Sequence, residues 1–316
     1  MKFEGLEYFH GRAKDEGLQI IEARADNEEQ FAEQVKAAHA VAVIDRRVGA
    51  ETIATLECCE LIQTLSVGYD CIDVAAATAA GIPVCNTPAY CTDEVANHAM
   101  MLLMSVVRKI HIIMPATRGG VWDYNFTKPM FNFRDKTLGI LGLGRVGRAL
   151  VPKAKGFGIR VCAYDPYLDD DIFEMMGVDR CYELEHLLEQ SDYVSIHTPL
   201  TSETRGLIGE RELGCMKPSA VIVNTARGPI WDERAVADAL QSGAIVGAAS
   251  DVVASEPPDD AHPFLTLPNM LVTPHVAWYS EESYRKNMTD GMDEIVRVLS
   301  GLRPRAIVNP EIFGRR

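Results

Sequence analysis

Residues 137–147, TLGILGLGRVG, decide the fold of this chain. An apolar run leads into three glycines spaced G-x-G-x-x-G, and a helical pattern of apolar residues follows at once. The pattern predicts a strand, a tight turn and the start of a helix. Gly142 permits the sharp turn, Gly144 lets a pyrophosphate approach the backbone, and Gly147 lets the helix pack closely on the strand.

An acidic residue after the next apolar run indicates the cofactor. The run at 159–164 is followed by Asp165, eighteen residues after Gly147. A carboxylate there accepts hydrogen bonds from an adenosine ribose and repels a 2′-phosphate, which favours NAD over NADP. Backbone amides at the start of the helix, those of Arg145 and Val146, would bind the pyrophosphate. The alternative is an ordinary strand–helix–strand crossover with glycine turns.

Length, charge and cysteine usage exclude several classes of protein. A chain of 316 residues is long enough for two domains of about 150 residues. The net charge of −14, without a Lys/Arg-rich block, argues against nucleic acid and anionic membranes as partners. No apolar run of membrane-spanning length and no signal-peptide layout appear, so we expect a cytoplasmic protein. The eight cysteines form no C-x-x-C pair, so no disulfide framework or metal site is expected.

Strand-like and helix-like patterns alternate through most of the chain, which predicts an α/β fold with two doubly wound parallel sheets. Ahead of residue 100, strands are predicted at 18–23, 40–44, 61–65 and 83–86. Beyond it, they are predicted at 137–141, 159–164, 193–197, 220–224, 245–250 and 270–273. A last helix at 281–299 is expected to return to the first domain. Residues 1–97 and 286–316 would then form a flavodoxin-like substrate-binding domain, with a Rossmann NAD-binding domain, residues 98–285, inserted in it.

Two segments are expected to depart from regular structure. Pro152 falls inside the helix after the glycine-rich turn, where it removes a backbone hydrogen bond, so a kink or irregular turn is expected near Arg148. Residues 115–134 read as a long loop rich in aromatic side chains. An apolar loop of this length is expected to lie against a partner subunit.

Loops after the carboxyl ends of parallel strands carry the ligand-binding residues of such folds. In the first domain, Gly68 would leave backbone amides open to an anion, unless it is an ordinary turn glycine. Several polar residues in these loops are assigned to the cofactor. They are Thr92, which opens a long apolar helix, His197 and Thr198, which border the expected nicotinamide site, and Thr225 and Ala226.

Three ionisable residues follow neighbouring predicted strands and are expected to meet in one crevice. His275 would protonate a carbonyl oxygen, since an imidazole titrates near neutral pH. Glu256 would raise the pKa of His275 and fix its tautomer. Arg227 would bind a substrate carboxylate with its planar donor fork and polarise the carbonyl. Taken singly, each is more readily interpreted as a surface residue, but the three together beside a cofactor turn favour the catalytic interpretation. Apart from His197, the other histidines have no comparable setting.

Four motifs in order along nearly the whole chain resemble the D-isomer-specific 2-hydroxyacid dehydrogenase family. They are GLGRVG with Asp165, VNTARG with Arg227, DVVASEPP with Glu256 and TPHVAWYSEE with His275. The resemblance implies that Arg227, Glu256 and His275 are the catalytic set and that the protein is a homodimer built on its NAD-binding domains. It also implies that the amides of Val67 and Gly68 bind the substrate carboxylate and that Asp251 lies near the carboxamide of NAD. Trp278 is expected to shape the substrate pocket.

Shorter matches divide between branches of this family. Residues 64–68, TLSVG, are similar to glyoxylate/hydroxypyruvate reductases, whereas YDPYL, NTARG and AWYSEE resemble the C-terminal-binding-protein corepressors. Many members, phosphoglycerate dehydrogenases among them, have an arginine where this chain has Thr64, which weakens the case for a phosphorylated substrate. Members also usually begin with a strand, which this chain is expected to lack.

The leading prediction is therefore an NAD-dependent dehydrogenase that reduces a small 2-keto acid of glyoxylate, hydroxypyruvate or aliphatic type. An NAD(H)-sensing, corepressor-like binding protein with weak activity and a D-3-phosphoglycerate dehydrogenase are the two alternatives.

Overall fold

The computed structural model describes residues 6–314, and the chain divides into two compact units. The first unit comprises Met1–Cys91 with Tyr279–Arg316, and the second comprises Thr92–Trp278. The expected domain boundaries, after residues 97 and 285, fall inside two helices, Thr92–Val107 and Glu281–Leu299. The division lies at the start of each helix instead, because the backbone hydrogen bonds of a helix keep it in one unit.

The first unit contains a parallel sheet with a core on each face. Its strands lie in the order β1-β2-β3 and pair in register from Ala40 with Leu61 and from Ile62 with Val84. The elements in chain order are α1 (Leu6–Asp15), α2 (Glu28–Val35), β1 (Ala40–Val43), α3 (Ala50–Thr55), β2 (Leu61–Thr64), α4 (Val74–Ala79) and β3 (Val84–Cys85). Buried residues of α2, α3 and α4 cover one face of this sheet.

The predicted strand at 18–23 is wrong. Residues 18–25 run as irregular backbone without ladder partners among the described residues. Leu18 and Ile20 are only partly buried against a core cluster, and the side chain of Ile21 is 71% exposed. The apolar residues of this segment are thus partly buried without the backbone pairing that defines a strand.

The second unit contains a seven-stranded, all-parallel sheet whose order is that of a doubly wound Rossmann fold: β10-β9-β8-β7-β4-β5-β6. The first half comprises α5 (Thr92–Val107), α6 (Ile110–Arg118), β4 (Thr137–Leu141), α7 (Arg145–Gly156), β5 (Arg160–Tyr164), α8 (Asp170–Met176) and β6 (Asp179–Arg180). The second half comprises α9 (Leu184–Gln190), β7 (Tyr193–Ile196), α10 (Glu210–Cys215), β8 (Val221–Asn224), α11 (Glu233–Ser242), β9 (Gly247–Ser250) and β10 (Met270–Val272).

Both faces of this larger sheet are covered, as expected for buried parallel strands. Buried residues of α9, α10 and α11 pack on one face, and buried residues of α5, α7 and α8 pack on the other. The last helix, α12 (Glu281–Leu299), belongs to the first unit, where Met288 and Met292 are buried in one cluster with Leu61 and Leu65. The expected α/β fold with two parallel sheets is confirmed.

The two irregular segments differ from expectation. The expected loop at 115–134 begins later, because α6 continues through Pro115 to Arg118 and is closed by a bond from the Gly119 amide to the Pro115 carbonyl. Helix α7 runs continuously through Pro152, which is exposed, so no irregular turn interrupts it near Arg148; the kink expected there stays a prediction. Within residues 6–314, no helix has by itself the length and composition of a membrane span; α5 and α6 meet that test only jointly, across a 63° bend.

Candidate active site

The glycine-rich turn after β4 has little room for side chains at two of its three glycines. Gly142 has φ +91°, and a Cβ there would lie 2.9 Å from the carbonyl carbon of His197. A Cβ on Gly147 would lie 2.3 Å from the Gly142 carbonyl oxygen, so α7 packs directly on the turn. Gly144 faces open space and precedes α7 without a side-chain cap. The uncapped helix start, which includes Arg145 and Val146, is a fitting site for an anion.

Asp165 is held against this turn. Its Oδ2 accepts a hydrogen bond from the Leu143 amide at 3.0 Å, and its Oδ1 accepts one from the Tyr167 amide at 3.1 Å. Each carboxylate oxygen can accept further bonds, so Asp165 can still bind ribose hydroxyls. The acid expected to recognise NAD is therefore oriented by the loop that would bind the pyrophosphate.

Buried polar atoms after β7 and β8 also fit a dinucleotide. The hydroxyl oxygens of Thr198 and Thr225 are buried and have no hydrogen-bond partner among the described residues. Such orphaned groups are costly unless a ligand or water satisfies them. His197 lies beside Gly142, bonds to the Ser195 hydroxyl through Nε2 at 2.8 Å, and has its pKa lowered to about 4 by burial. It is neutral at pH 7.

The remaining residues assigned to the cofactor take two kinds of position. Thr92 is the first residue of α5. Ala226 donates its amide to the Asn224 side chain at 3.0 Å, while that side chain donates to the Arg227 carbonyl at 2.9 Å. The buried Asn224 thus fixes the backbone of the loop that carries Arg227.

His275 and Glu256 form the shortest side-chain contact of the expected catalytic set. Nδ1 of His275 lies 2.6 Å from Oε2 of Glu256, and each side chain is 36% exposed. The hydrogen bond to Glu256 raises the pKa of His275, although burial and the positive charge of Arg227 oppose it. Burial alone would raise the pKa of Glu256, but the bond and charge of His275, together with the Val253 amide and Arg227, lower it. The positive charge of Arg227 thus influences both groups.

The backbone at His275 has an unusual conformation that neighbouring groups maintain. Its φ is +53°, which is rare for a residue other than glycine and is a common form of strain at functional sites. The His275 amide donates to the Asp251 carbonyl at 2.8 Å, and the Trp278 indole donates to the His275 carbonyl at 3.0 Å. Trp278 is therefore fixed against the backbone of His275.

Asp251 is occupied by bonds within the protein. Its carboxylate is 1% exposed and accepts the Thr273 hydroxyl at 2.5 Å and the amides of Val276 and Ala277 at 3.0 and 2.8 Å. His98 on α5 completes this network, with Nε2 2.9 Å from the Thr273 hydroxyl. Sequence reasoning missed His98, because only the fold brings it to Thr273, 175 residues later in the chain.

The loop expected to bind the substrate carboxylate follows β2 in the first unit. The carbonyls of Val67 and Gly68 accept bonds from the side chains of Asn86, at 2.7 Å, and Ser66, at 2.6 Å. Ser66 is in turn bonded to the buried Thr64 hydroxyl at 2.6 Å. These bonds fix the peptide groups of the loop while using only their carbonyl ends.

The chain is similar to several known proteins. The family model described as D-isomer specific 2-hydroxyacid dehydrogenase, NAD binding domain, matches residues 100–277. A glyoxylate reductase of Korarchaeum cryptofilum is 38% identical over 277 residues, which cover 86% of this chain and 82% of that protein. The crystal structure of a glyoxylate reductase from Paecilomyes thermophila is 29% identical, covers 96% of this chain and 95% of that one, and has a TM-score of 0.88.

A second relative is a longer protein. The D-3-phosphoglycerate dehydrogenase of Methanocaldococcus jannaschii is 38% identical over 282 residues, or 89% of this chain, yet the match spans only 53% of that protein's length. The matches confirm the family that the four motifs predicted: the chain belongs to the D-isomer-specific 2-hydroxyacid dehydrogenases, NAD-dependent oxidoreductases that act on the CH–OH group.

Proposed function

We propose that this chain reduces a small 2-keto acid of glyoxylate, hydroxypyruvate or aliphatic type to the D-2-hydroxy acid, with NAD(H) as cofactor. The observation that carries the proposal is the 2.6 Å contact between His275 Nδ1 and Glu256 Oε2. It raises the pKa of an imidazole in the unit whose glycine-rich turn fits a dinucleotide. The names of two similar proteins, both glyoxylate reductases, support this substrate class.

The proposed chemistry divides between the cofactor and three side chains. Bound NADH supplies the hydride that reduces the keto carbon. His275 donates Nδ1–H to Glu256, which leaves Nε2 to give a proton to the carbonyl oxygen and to take it back in the reverse direction. Glu256 keeps the ring in one tautomer and favours its protonated form. Arg227 binds the substrate carboxylate and polarises the carbonyl.

Binding roles follow the same proposal. The amides of Val67 and Gly68 bind the substrate carboxylate, and Trp278 shapes the pocket beside His275. Cofactor binding is assigned to two groups of residues. The phosphates and ribose are bound by Gly142, Gly144, Arg145, Val146, Gly147 and Asp165. The rest of the dinucleotide is bound by Thr92, His197, Thr198, Thr225, Ala226 and Asp251. Asp251 would do so through hydrogen-bond acceptor positions that its bonds within the protein do not use.

A substrate panel tests the reaction directly. Purified protein is mixed with NADH and with glyoxylate, hydroxypyruvate, pyruvate and longer aliphatic 2-keto acids, and NADH absorbance is followed. Turnover on at least one of them, well above that of the His275→Ala variant, is expected. If no compound is turned over above this background, the proposal is wrong; tight NADH binding without turnover would favour the NAD(H)-sensing alternative.

A D-3-phosphoglycerate dehydrogenase is the second candidate, because one relative bears that name at 38% identity. The end of β2 argues against it, since Thr64 is buried and its hydroxyl is bonded to Ser66. No positive charge stands at that position to bind a phosphate. Including 3-phosphoglycerate with NAD in the panel decides between the two, since preferred oxidation of this compound would support the second candidate.

Partner and location complete the proposal. A groove of about 690 Å³ on the second unit is lined by apolar side chains of α5 together with Arg108, Lys153 and Phe157. In the loop after α6, Trp122 is 91% exposed and Tyr124 is 69% exposed. We assign these surfaces to a second copy of the chain, so sedimentation should give the mass of a dimer, and a monomer would contradict it.

The eight cysteines are all free thiols, as suits the cytoplasm.

A further inference from the structure

Glu233, the first residue of α11, joins the two ends of the loop that carries Glu256. Its Oε1 accepts the Ala254 amide at 2.8 Å, and its Oε2 lies 3.1 Å from Nε2 of His262. The side chains of Glu233 and His262 are only 18% and 16% exposed. One carboxylate thus holds residues on either side of Glu256 through two largely buried contacts.

The tautomer of His262 is fixed by its second ring nitrogen. The Phe264 amide donates to Nδ1 of His262 at 3.3 Å, so Nδ1 carries no proton and the ring hydrogen is on Nε2. His262 therefore donates Nε2–H to Glu233. Its ring packs edge-on against Phe264 at 5.0 Å, and Phe264 packs in the same way against Trp231 at 5.6 Å. The contact with Glu233 consequently has a rigid, buried support.

The peptide that Glu233 holds lies between the backbones of two catalytic candidates. The Val253 amide donates to Oε1 of Glu256 at 3.0 Å, one residue before the Ala254 amide that Glu233 binds. On the other side, a Cβ added to Gly228, the neighbour of Arg227, would lie 2.1 Å from the Val253 carbonyl carbon. A shift of the 253–254 peptide would therefore move Glu256 and disturb the loop of Arg227.

We propose that Glu233, supported by His262, is a positioning residue that holds Glu256 in the orientation in which it bonds to His275. Glu233 does not touch the reacting groups and acts through the backbone at 253–254. The inference rests on the proposed function, because it assumes that the pair of His275 and Glu256 performs the acid–base step.

Two substitutions at Glu233 are expected to lower kcat/KM to different extents. Glu233→Gln keeps one acceptor but brings its NH₂ group against either the Ala254 amide or Nε2–H of His262, whereas Glu233→Ala removes both bonds. We expect kcat/KM to fall about tenfold in Glu233→Ala and less in Glu233→Gln. The alkaline limit of the kcat/KM profile should also move to lower pH, because a displaced Glu256 supports the protonated imidazole less.

The pKa of His275 can be measured without turnover. Protein labelled in its histidine rings is titrated by NMR, and the His275 signal is assigned by its loss in His275→Gln. In Glu233→Ala, with Arg227 and Asp251 still present around the ring, the midpoint should fall by about half a unit. Glu233→Gln, which keeps one bond, serves if Glu233→Ala does not fold.

Glu212→Gln is the matched control. Glu212 is also a buried carboxylate near a helix start, and it accepts the Gly209 amide at 3.1 Å and the Arg211 side chain at 2.8 Å, away from the Glu256 loop. It should lose stability without moving the His275 midpoint. An unchanged midpoint in the Glu233 variants, or an equal change in Glu212→Gln, would overturn the inference. Because wild-type turnover is not needed for this titration, failure of the proposed function is recognised separately by the substrate panel.

Discussion

In two histidine–carboxylate pairs of the second unit, the pKa of the histidine is shifted in opposite directions. His275 and Glu256 are 2.6 Å apart, and their hydrogen bond raises the pKa of His275 against the effect of burial. His98 and Asp251 are 3.5 Å apart, and burial lowers the pKa of His98 although the charge of Asp251 opposes it. Protonation of His275 is therefore favoured, whereas protonation of His98 is disfavoured.

The difference arises from the other donors that each carboxylate already serves. Asp251 is 1% exposed and accepts the Thr273 hydroxyl and two backbone amides, so His98 reaches it chiefly through Thr273. Glu256 is 36% exposed and gives one oxygen to the Val253 amide and the other to His275. A carboxylate thus raises the pKa of a neighbouring histidine when one of its oxygens is left to bond to that histidine, as in Glu256. When both oxygens already accept other bonds, as in Asp251, the pair serves as a structural scaffold.

Replacing each histidine by glutamine gives the largest expected contrast. His275→Gln removes the proton donor, and general acid–base groups typically contribute about 10²–10⁴-fold, so kcat should fall by that order. His98→Gln keeps a donor that can bond to the Thr273 hydroxyl, so kcat should fall by less than about tenfold. Steady-state rates with NADH and the best 2-keto acid of the panel measure both. Equal losses in the two variants would remove the distinction between proton carrier and scaffold.

Glu256→Gln tests the cause of the raised pKa. Without the charge of Glu256 the pKa of His275 falls, and above that pKa each unit of decrease lowers the protonated fraction about tenfold. Reduction needs the protonated ring, so the rate should decline from a lower pH than in the wild type and change less at acidic pH. The pH profile of kcat/KM for keto-acid reduction measures this. A uniform loss at all pH values would mean that Glu256 acts on something other than the proton affinity of His275.

The pair of Glu256 and His275 could be predicted from the sequence, because their meeting depends on topology. Glycines, apolar runs and the acid after β5 are local signals, and parallel strands bring their carboxyl ends to one edge. Glu256 and His275 each follow a strand of that sheet, so their meeting followed from the predicted parallel sheet.

Other parts depend on contacts that no local pattern records. His98 and Thr273 are 175 residues apart, and Glu233 and His262, 29 residues apart, are separated by α11, β9 and the loop that follows β9. The segment at 18–23 shows the opposite failure, since it contains the apolar residues of a strand but no strand within residues 6–314 pairs with its backbone. A strand requires partners as well as a period, and partners are set by the tertiary structure.

The smallest expected effect is the loss of folding stability at acidic pH that His98, in its pair with Asp251, causes. The pKa of His98 is lowered from 6.5 in the folded protein, so below that pH the unfolded chain binds more protons and stability decreases with falling pH. His98→Gln removes this contribution, while His197 and His275 titrate as before. The difference in unfolding free energy between wild type and variant, from urea titrations at several pH values, should therefore shift in favour of the variant as the pH falls below 6.5. A constant difference would mean that His98 is not held neutral, and an opposite slope would make its pair with Asp251 a second charged pair like that of His275.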